Sequence, residues 1–152
     1  MAPKNLWGEL PTADETGRSP KSILEEQASV LSQHSANRLL GRVTTATNPY
    51  GQLEHELLIV APFLNNYEVA IVRAAHTAET YPVSAWDIVD AGLGRRECQS
   101  DEDFEHFLGT VLTSKKVRII ISSLLSQTPR KPPPPTGMVG SLLVEKKSYT
   151  KE

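Results

Sequence analysis

The chain has 152 residues, 39% of them hydrophobic and 22% charged, with a formal net charge of −2. This is one domain's worth of sequence with apolar content for a packed core. It holds no run near the roughly 18–20 apolar residues of a helical membrane span, and its overall charge gives no reason to bind nucleic acid or an anionic membrane.

One cysteine, Cys98, excludes an internal disulfide and any multi-cysteine zinc site. Charge is uneven along the chain. Residues 1–128 carry 11 Lys and Arg against 16 Asp and Glu, a net of −5, whereas residues 129–152 carry 5 against 2, a net of +3. The break falls at Pro129-Arg130-Lys131, before prolines 132–135. Four successive prolines favour polyproline II and cannot join a helix or a central strand. The expected division is a flexible N-terminal segment (1–18), a single domain (19–127), and a Pro-rich linker with a basic, disordered tail (128–152). Leu6, Trp7 and Leu10 form an apolar patch that could dock from the N-terminal segment. The start has no basic segment followed by an apolar run, so no secretory signal is expected and a cytoplasmic location is the default.

The domain opens on Ser19-Pro20, an N-cap followed by proline at the first helical position, and Ser22 to Glu25 offers an overlapping capping box. Ile23, Leu24, Ala28 and Leu31 recur at three- and four-residue steps, which predicts an amphipathic helix ending near Asn37. Three strands follow, over 38–47, 52–61 and 67–75. The first two are separated by Asn48-Pro49-Tyr50-Gly51 and the next two by Asn65-Asn66, so the strands form an antiparallel meander. In the third strand, simple alternation puts Tyr67, Val69 and Ile71 on one side and Ala70, Val72 and Ala74 on the other. A fourth strand is possible over 83–89, with Pro82 suiting an edge position. Residues 91–96, with Gly92 and Gly94, read as a loop. The acidic run Asp101-Glu102-Asp103 then suits a helix N-terminus, and Phe104, Phe107, Leu108, Val111 and Leu112 give its apolar stripe. Over 114–126, Ile119-Ile120-Ile121 favour a strand, but Val117, Ile120, Ile121, Leu124 and Leu125 follow helical spacing over a helical length. The expected fold is α+β: an N-terminal helix, an antiparallel meander of three to four strands, two C-terminal helices and the tail.

No catalytic motif appears. The four histidines make no zinc-ligand spacing. Glu54-His55-Glu56 reads as a solvated strand segment, because His55 points away from its two acidic neighbours. Cys98 follows Arg95-Arg96 and precedes a helix, which would lower a thiol pKa; without a cysteine-enzyme signature it reads as a small buried hydrophobe. Arg95-Arg96 and Lys115-Lys116-Arg118 would hold a phosphate if they met in space, but the net charge of residues 1–128 argues for solvated faces. No cofactor and no metal site is expected.

The leading expectation is a small, non-enzymatic protein-interaction module or assembly subunit that contacts another protein, or itself, through a sheet face or edge. Tyr81 and Trp86 on the sheet would supply aromatic anchors. Leu142, Leu143 and Val144 in the tail would add a strand or fill a groove. The alternative is an enzyme or small-molecule binder with a site near His76, Arg73, Arg95 and Cys98, which only tertiary folding could bring together.

Overall fold

A computed structural model describes residues 3–13 and 17–129 of the chain. In order, the elements are α1 (Pro20–His34), β1 (Leu40–Thr47), β2 (Leu53–Ala61), a short 3-10 turn (Pro62–Leu64), β3 (Tyr67–His76), β4 (Val83–Asp87), β5 (Arg95–Cys98), α2 (Asp101–Leu112) and α3 (Lys115–Ser126). The fold is α+β with a five-stranded antiparallel sheet in sequential order β1-β2-β3-β4-β5.

Local chemistry sets the boundaries. All three helices start on a serine whose Oγ accepts a backbone N–H: Ser19 from Ser22, Ser100 from Asp103 and Ser114 from Val117. The Ser19 cap therefore wins over the overlapping box at Ser22. The β1–β2 turn is fixed by Asn48, whose Oδ1 accepts from the N–H groups of Tyr50 and Gln52. The β2–β3 turn uses left-handed backbone at Asn65 and Asn66.

The sheet has one strand more than expected. Residues 95–98, read from sequence as the end of a loop and the approach to a helix, form β5 and pair with β4 from Val83↔Cys98 to Trp86↔Arg95. Arg-Arg-Glu-Cys has no apolar alternation to announce a strand. Pairing is imposed instead by a tight connection that Asp87 organises. Its carboxylate accepts from the N–H groups of Ala91, Leu93 and Gly94, which ends β4 at Asp87 rather than at residue 89.

A bulge in β3 decides which side chains share a face. Leu57 pairs with Val72, but Leu58 pairs with Ala70, so Ile71 is an extra residue. Its carbonyl accepts from the N–H of Ile88. Before the bulge Tyr67 and Val69 face the helices; after it Val72, Ala74 and His76 do. Uninterrupted alternation through β3, as expected from sequence, is thus corrected.

The three described helices cover one sheet face. Their buried residues (Ile23, Leu24 and Ala28 of α1; Phe104, Phe107, Leu108 and Val111 of α2; Val117 and Leu124 of α3) form one core with Leu57, Ile59, Val72, Ala74, Val83, Ala85 and Cys98. At about 25 cal/mol per Å² of apolar surface removed from water, the valine, leucine, isoleucine and phenylalanine side chains among them contribute roughly 1.5–3 kcal/mol each. Leu6, Trp7 and Leu10 do not dock: Trp7 is 83% exposed.

Helix α1 lies on β1 at backbone distance. A Cβ added to Gly41 would sit 2.3 Å from the Cα of Ala28. Ser32 fastens the crossing, its Oγ donating to the Ala28 carbonyl and accepting the N–H of Gly41. Replacement of Gly41 by alanine is expected to cost about 2–3 kcal/mol as an overpacking defect, read as a lower urea midpoint at unchanged m-value. Adding Ala28→Gly should not restore stability, because the collision is with Cα.

Candidate functional site

The helix-free face carries one ordered row of side chains. Register places Thr44, Glu56, Arg73, Trp86 and Arg95 in line across the five strands. Arg73 Nε donates to Glu56 Oε2 at 2.6 Å, and Glu54 Oε1 lies 4.0 Å from the same nitrogen. On its other side the Arg73 guanidinium carbon sits 5.7 Å from the Trp86 ring centroid. The Arg95 guanidinium carbon lies 5.5 Å from that ring centroid. Both are within cation–π range, an interaction of about 0.5–1 kcal/mol at exposed sites and more when desolvated.

The two arginines differ in how they are satisfied. Arg73 is neutralised by carboxylates. Arg95 donates to Ser84 Oγ at 3.2 Å, and Ser84 donates to Glu97 Oε1 at 3.0 Å. No carboxylate among the described residues forms an ion pair with Arg95, which is exposed on the edge strand β5. Elsewhere on this face Arg42 pairs with Glu68. These residues stand opposite Leu58 and Val60 on either side of β2, so their pair bridges that strand. Leu58 and Val60 are buried without belonging to the helix-covered core.

Trp86 is thus on the sheet as expected, but Tyr81 is not. It lies in the β3–β4 connection, where its hydroxyl donates to the Arg18 carbonyl at 2.5 Å. Burial, with Asp101 next, pushes the phenol up to about 12. Around it the Asp101 carboxylate accepts the Arg18 N–H, and the Arg18 side chain pairs with Glu26 and Glu105. That backbone hydrogen bond is the leading cause of the lowered Asp101 pKa. Tyr81 therefore ties the β3–β4 connection to the residue before α1, and Arg18 ties that segment to the start of α2. Leu142, Leu143 and Val144 lie outside the described residues.

Arg73, Arg95, His76 and Cys98 do not converge. Arg73 and Arg95 project from the open face, whereas His76 and Cys98 face the helices. Arg96 lies across the sheet from Arg95 and pairs with Asp103 at 2.6 Å. Cys98 is fully buried, and burial first, then Asp103, pushes its thiol up to about 11.

His55 is the principal departure from the sequence reading. It points away from Glu54 and Glu56, as expected, but it is 3% exposed rather than solvated. Its Nε2 meets Nε2 of His76 at 2.9 Å, its Nδ1 meets Thr45 Oγ1 at 2.9 Å, and His76 Nδ1 lies 2.7 Å from the Thr77 carbonyl. A carbonyl only accepts, which fixes the protons of the neutral chain. His76 Nδ1–H donates to Thr77, His55 Nε2–H donates to His76 Nε2, and the Thr45 hydroxyl donates to His55 Nδ1. Burial first, then His76 and Lys21, pushes His55 down to about 4. The two residues are 21 apart, and their meeting follows from the β2–β3 register. The detectable signal was that His55 shares its face with Leu53, Leu57 and Ile59, whereas both glutamates of β2 occupy the even-numbered positions.

Two grooves flank α3, of about 1350 and 610 Å³, and no His, Cys, Asp or Glu lines either among the described residues. No group of three or more His, Cys, Asp or Glu is placed to hold a metal ion among those residues, and none of their helices is long and apolar enough to cross a membrane. No family model, curated protein or solved structure matches this chain.

The Cys98 geometry predicts that a thiol reagent at pH 8 labels the protein only as fast as it unfolds. Urea should accelerate labelling in step with the unfolded fraction. Rapid stoichiometric labelling of the native state would contradict the burial assigned to this thiol.

Proposed function

We propose that the chain is a non-enzymatic protein-interaction module, or the subunit of an assembly, whose contact surface is the open sheet face around Trp86. The observation that carries this reading is Trp86 packed with Arg73 and Arg95 on a face that no described helix covers. Tryptophan and arginine are the residue types most enriched among interface hot spots. Here the indole is held in place by its neighbours, so little side-chain freedom remains to be lost on binding. Arg95 adds a cation without a carboxylate partner at the sheet edge, suited to an acceptor-bearing partner. Tyr81 is engaged within the domain and contributes to this surface indirectly, by holding the β3–β4 connection. The tail residues Leu142, Leu143 and Val144 are proposed as a second contact. Self-association is the same proposal with a second copy as partner, through this face or the eight-residue edge strand β1.

The test compares the full chain with Trp86→Ala and with serine at 142, 143 and 144 together, each checked for native circular dichroism. Against a partner recovered in stoichiometric amount, or against itself in sedimentation, Trp86→Ala is expected to weaken affinity roughly 30-fold, the loss of a hot spot of about 2 kcal/mol. Unchanged affinity would remove the sheet face from the proposal. Loss in the serine variant alone would move the contact to the tail.

A further inference from the structure

We propose that the chain Thr45–His55–His76–Thr77 is a one-proton sensor whose protonation loosens the seat of α1 on β1 and β2. The proposal rests on geometry and is independent of the contact-face reading.

The two imidazoles are 3% and 6% exposed, their centroids 5.0 Å apart, and their Nε2 atoms at hydrogen-bond distance. Neutral, the chain is fully satisfied with one arrangement of protons. Adding one proton is possible without breaking it. The hydroxyl of Thr45, an exposed residue on β1, rotates from donor to acceptor, and the proton occupies His55 Nδ1. His55 Nε2–H continues to donate to His76. A second proton has no place, because both Nε2 atoms would carry hydrogens facing each other across 2.9 Å. The site is therefore limited to one proton, and that proton brings a buried positive charge.

None of the groups that act on His55 carries a compensating negative charge. On α1, Lys21 repels the buried positive charge, and the N-terminal end of the α1 dipole has the same sign. The α1 carboxylates Glu25 and Glu26 are exposed, and Glu26 is engaged by Arg18. From β1 the pair meets Thr45, which is neutral. From β2 itself, Glu54 and Glu56 project to the opposite face, where Arg73 holds them. β3 contributes His76 and, next to it, the Thr77 carbonyl; Glu79 in the following loop is exposed. Release of the first turns of α1 would remove Lys21 and admit water to the imidazoles.

The sign of the effect follows from linkage. A histidine held below its ordinary 6.5 contributes stability that is complete above that value and is lost as pH falls toward about 4. At pH 5.5, opening that exposes His55 should be favoured roughly tenfold over opening at pH 7.

The experiment is a pH titration of the full chain by NMR, following the imidazole resonances and amide exchange together. His55 is expected to titrate below its ordinary 6.5, the pair to take up one proton, and α1 amides to lose roughly tenfold protection at pH 5.5 while α2 amides keep theirs. His55→Gln should abolish the change in α1. Should that variant not fold, the wild-type titration alone decides. His55 titrating near 6.5, uptake of two protons by the folded pair, or equal loss of protection in α1 and α2 would each overturn the proposal.

Discussion

The extra residue at Ile71 in β3 governs how this molecule is organised. Without it, strict alternation from Val69 would send Arg73 toward the helices and His76 to the open face. With it, Arg73 stands between Glu56 and Trp86, and His76 meets His55. A guanidinium displaced into an apolar core would have cost several kcal/mol unless it were paired there. The bulge therefore keeps the charge in reach of water and allows both residue clusters to form. Bonding of the Ile71 carbonyl to Ile88 N–H keeps the irregularity from leaving a buried acceptor unmet.

The two faces of the sheet then solve different problems. On the covered face, Gly41 lets α1 approach β1 closely, and Ser32 satisfies polar groups at the crossing. Ser35 does the same where the chain passes from α1 to β1, accepting the Leu39 N–H and donating to the Leu39 carbonyl. On the open face, no described helix covers the strands. The cross-strand pairs Arg42–Glu68 and Arg73–Glu56 provide polar cover, and Leu58, Val60 and Ala75 are nonetheless buried. Exposed ion pairs contribute little singly, but long side chains laid across a strand also shield its apolar positions. Trp86 gives this polar surface its aromatic centre.

The histidine pair shows how a buried polar cluster is made tolerable. Each ring nitrogen has a partner, so desolvation of the neutral rings is offset by three hydrogen bonds. The same closure makes the cluster responsive, because it has no arrangement that accepts two protons. Its position on the helix-covered face, across the sheet from Trp86, separates proton uptake from the proposed contact surface.

The order of the long elements is legible in the sequence. Helical spacing marks Ile23, Leu24 and Ala28 and likewise Phe104, Phe107 and Leu108, the Asn-containing turns mark the first hairpins, and Val117, Ile120 and Leu124 mark the last helix. These are local signals, carried by residues within a few positions of one another. It also placed Trp86 on a strand and Glu54 and Glu56 on a face opposite His55. The tertiary structure alone decided that Arg95–Cys98 is a strand, since pairing with β4 and the Asp87 turn hold it there rather than any preference of Arg-Arg-Glu-Cys. It alone decided that Tyr81 bonds to Arg18, and that His55 is buried against His76. Both depend on contacts between residues distant in sequence, and the second depends further on one inserted residue. A bulge shifts the face of every later side chain in its strand, and here residue alternation shows no sign of it because Ile71 and Val72 are both apolar and both belong in the core.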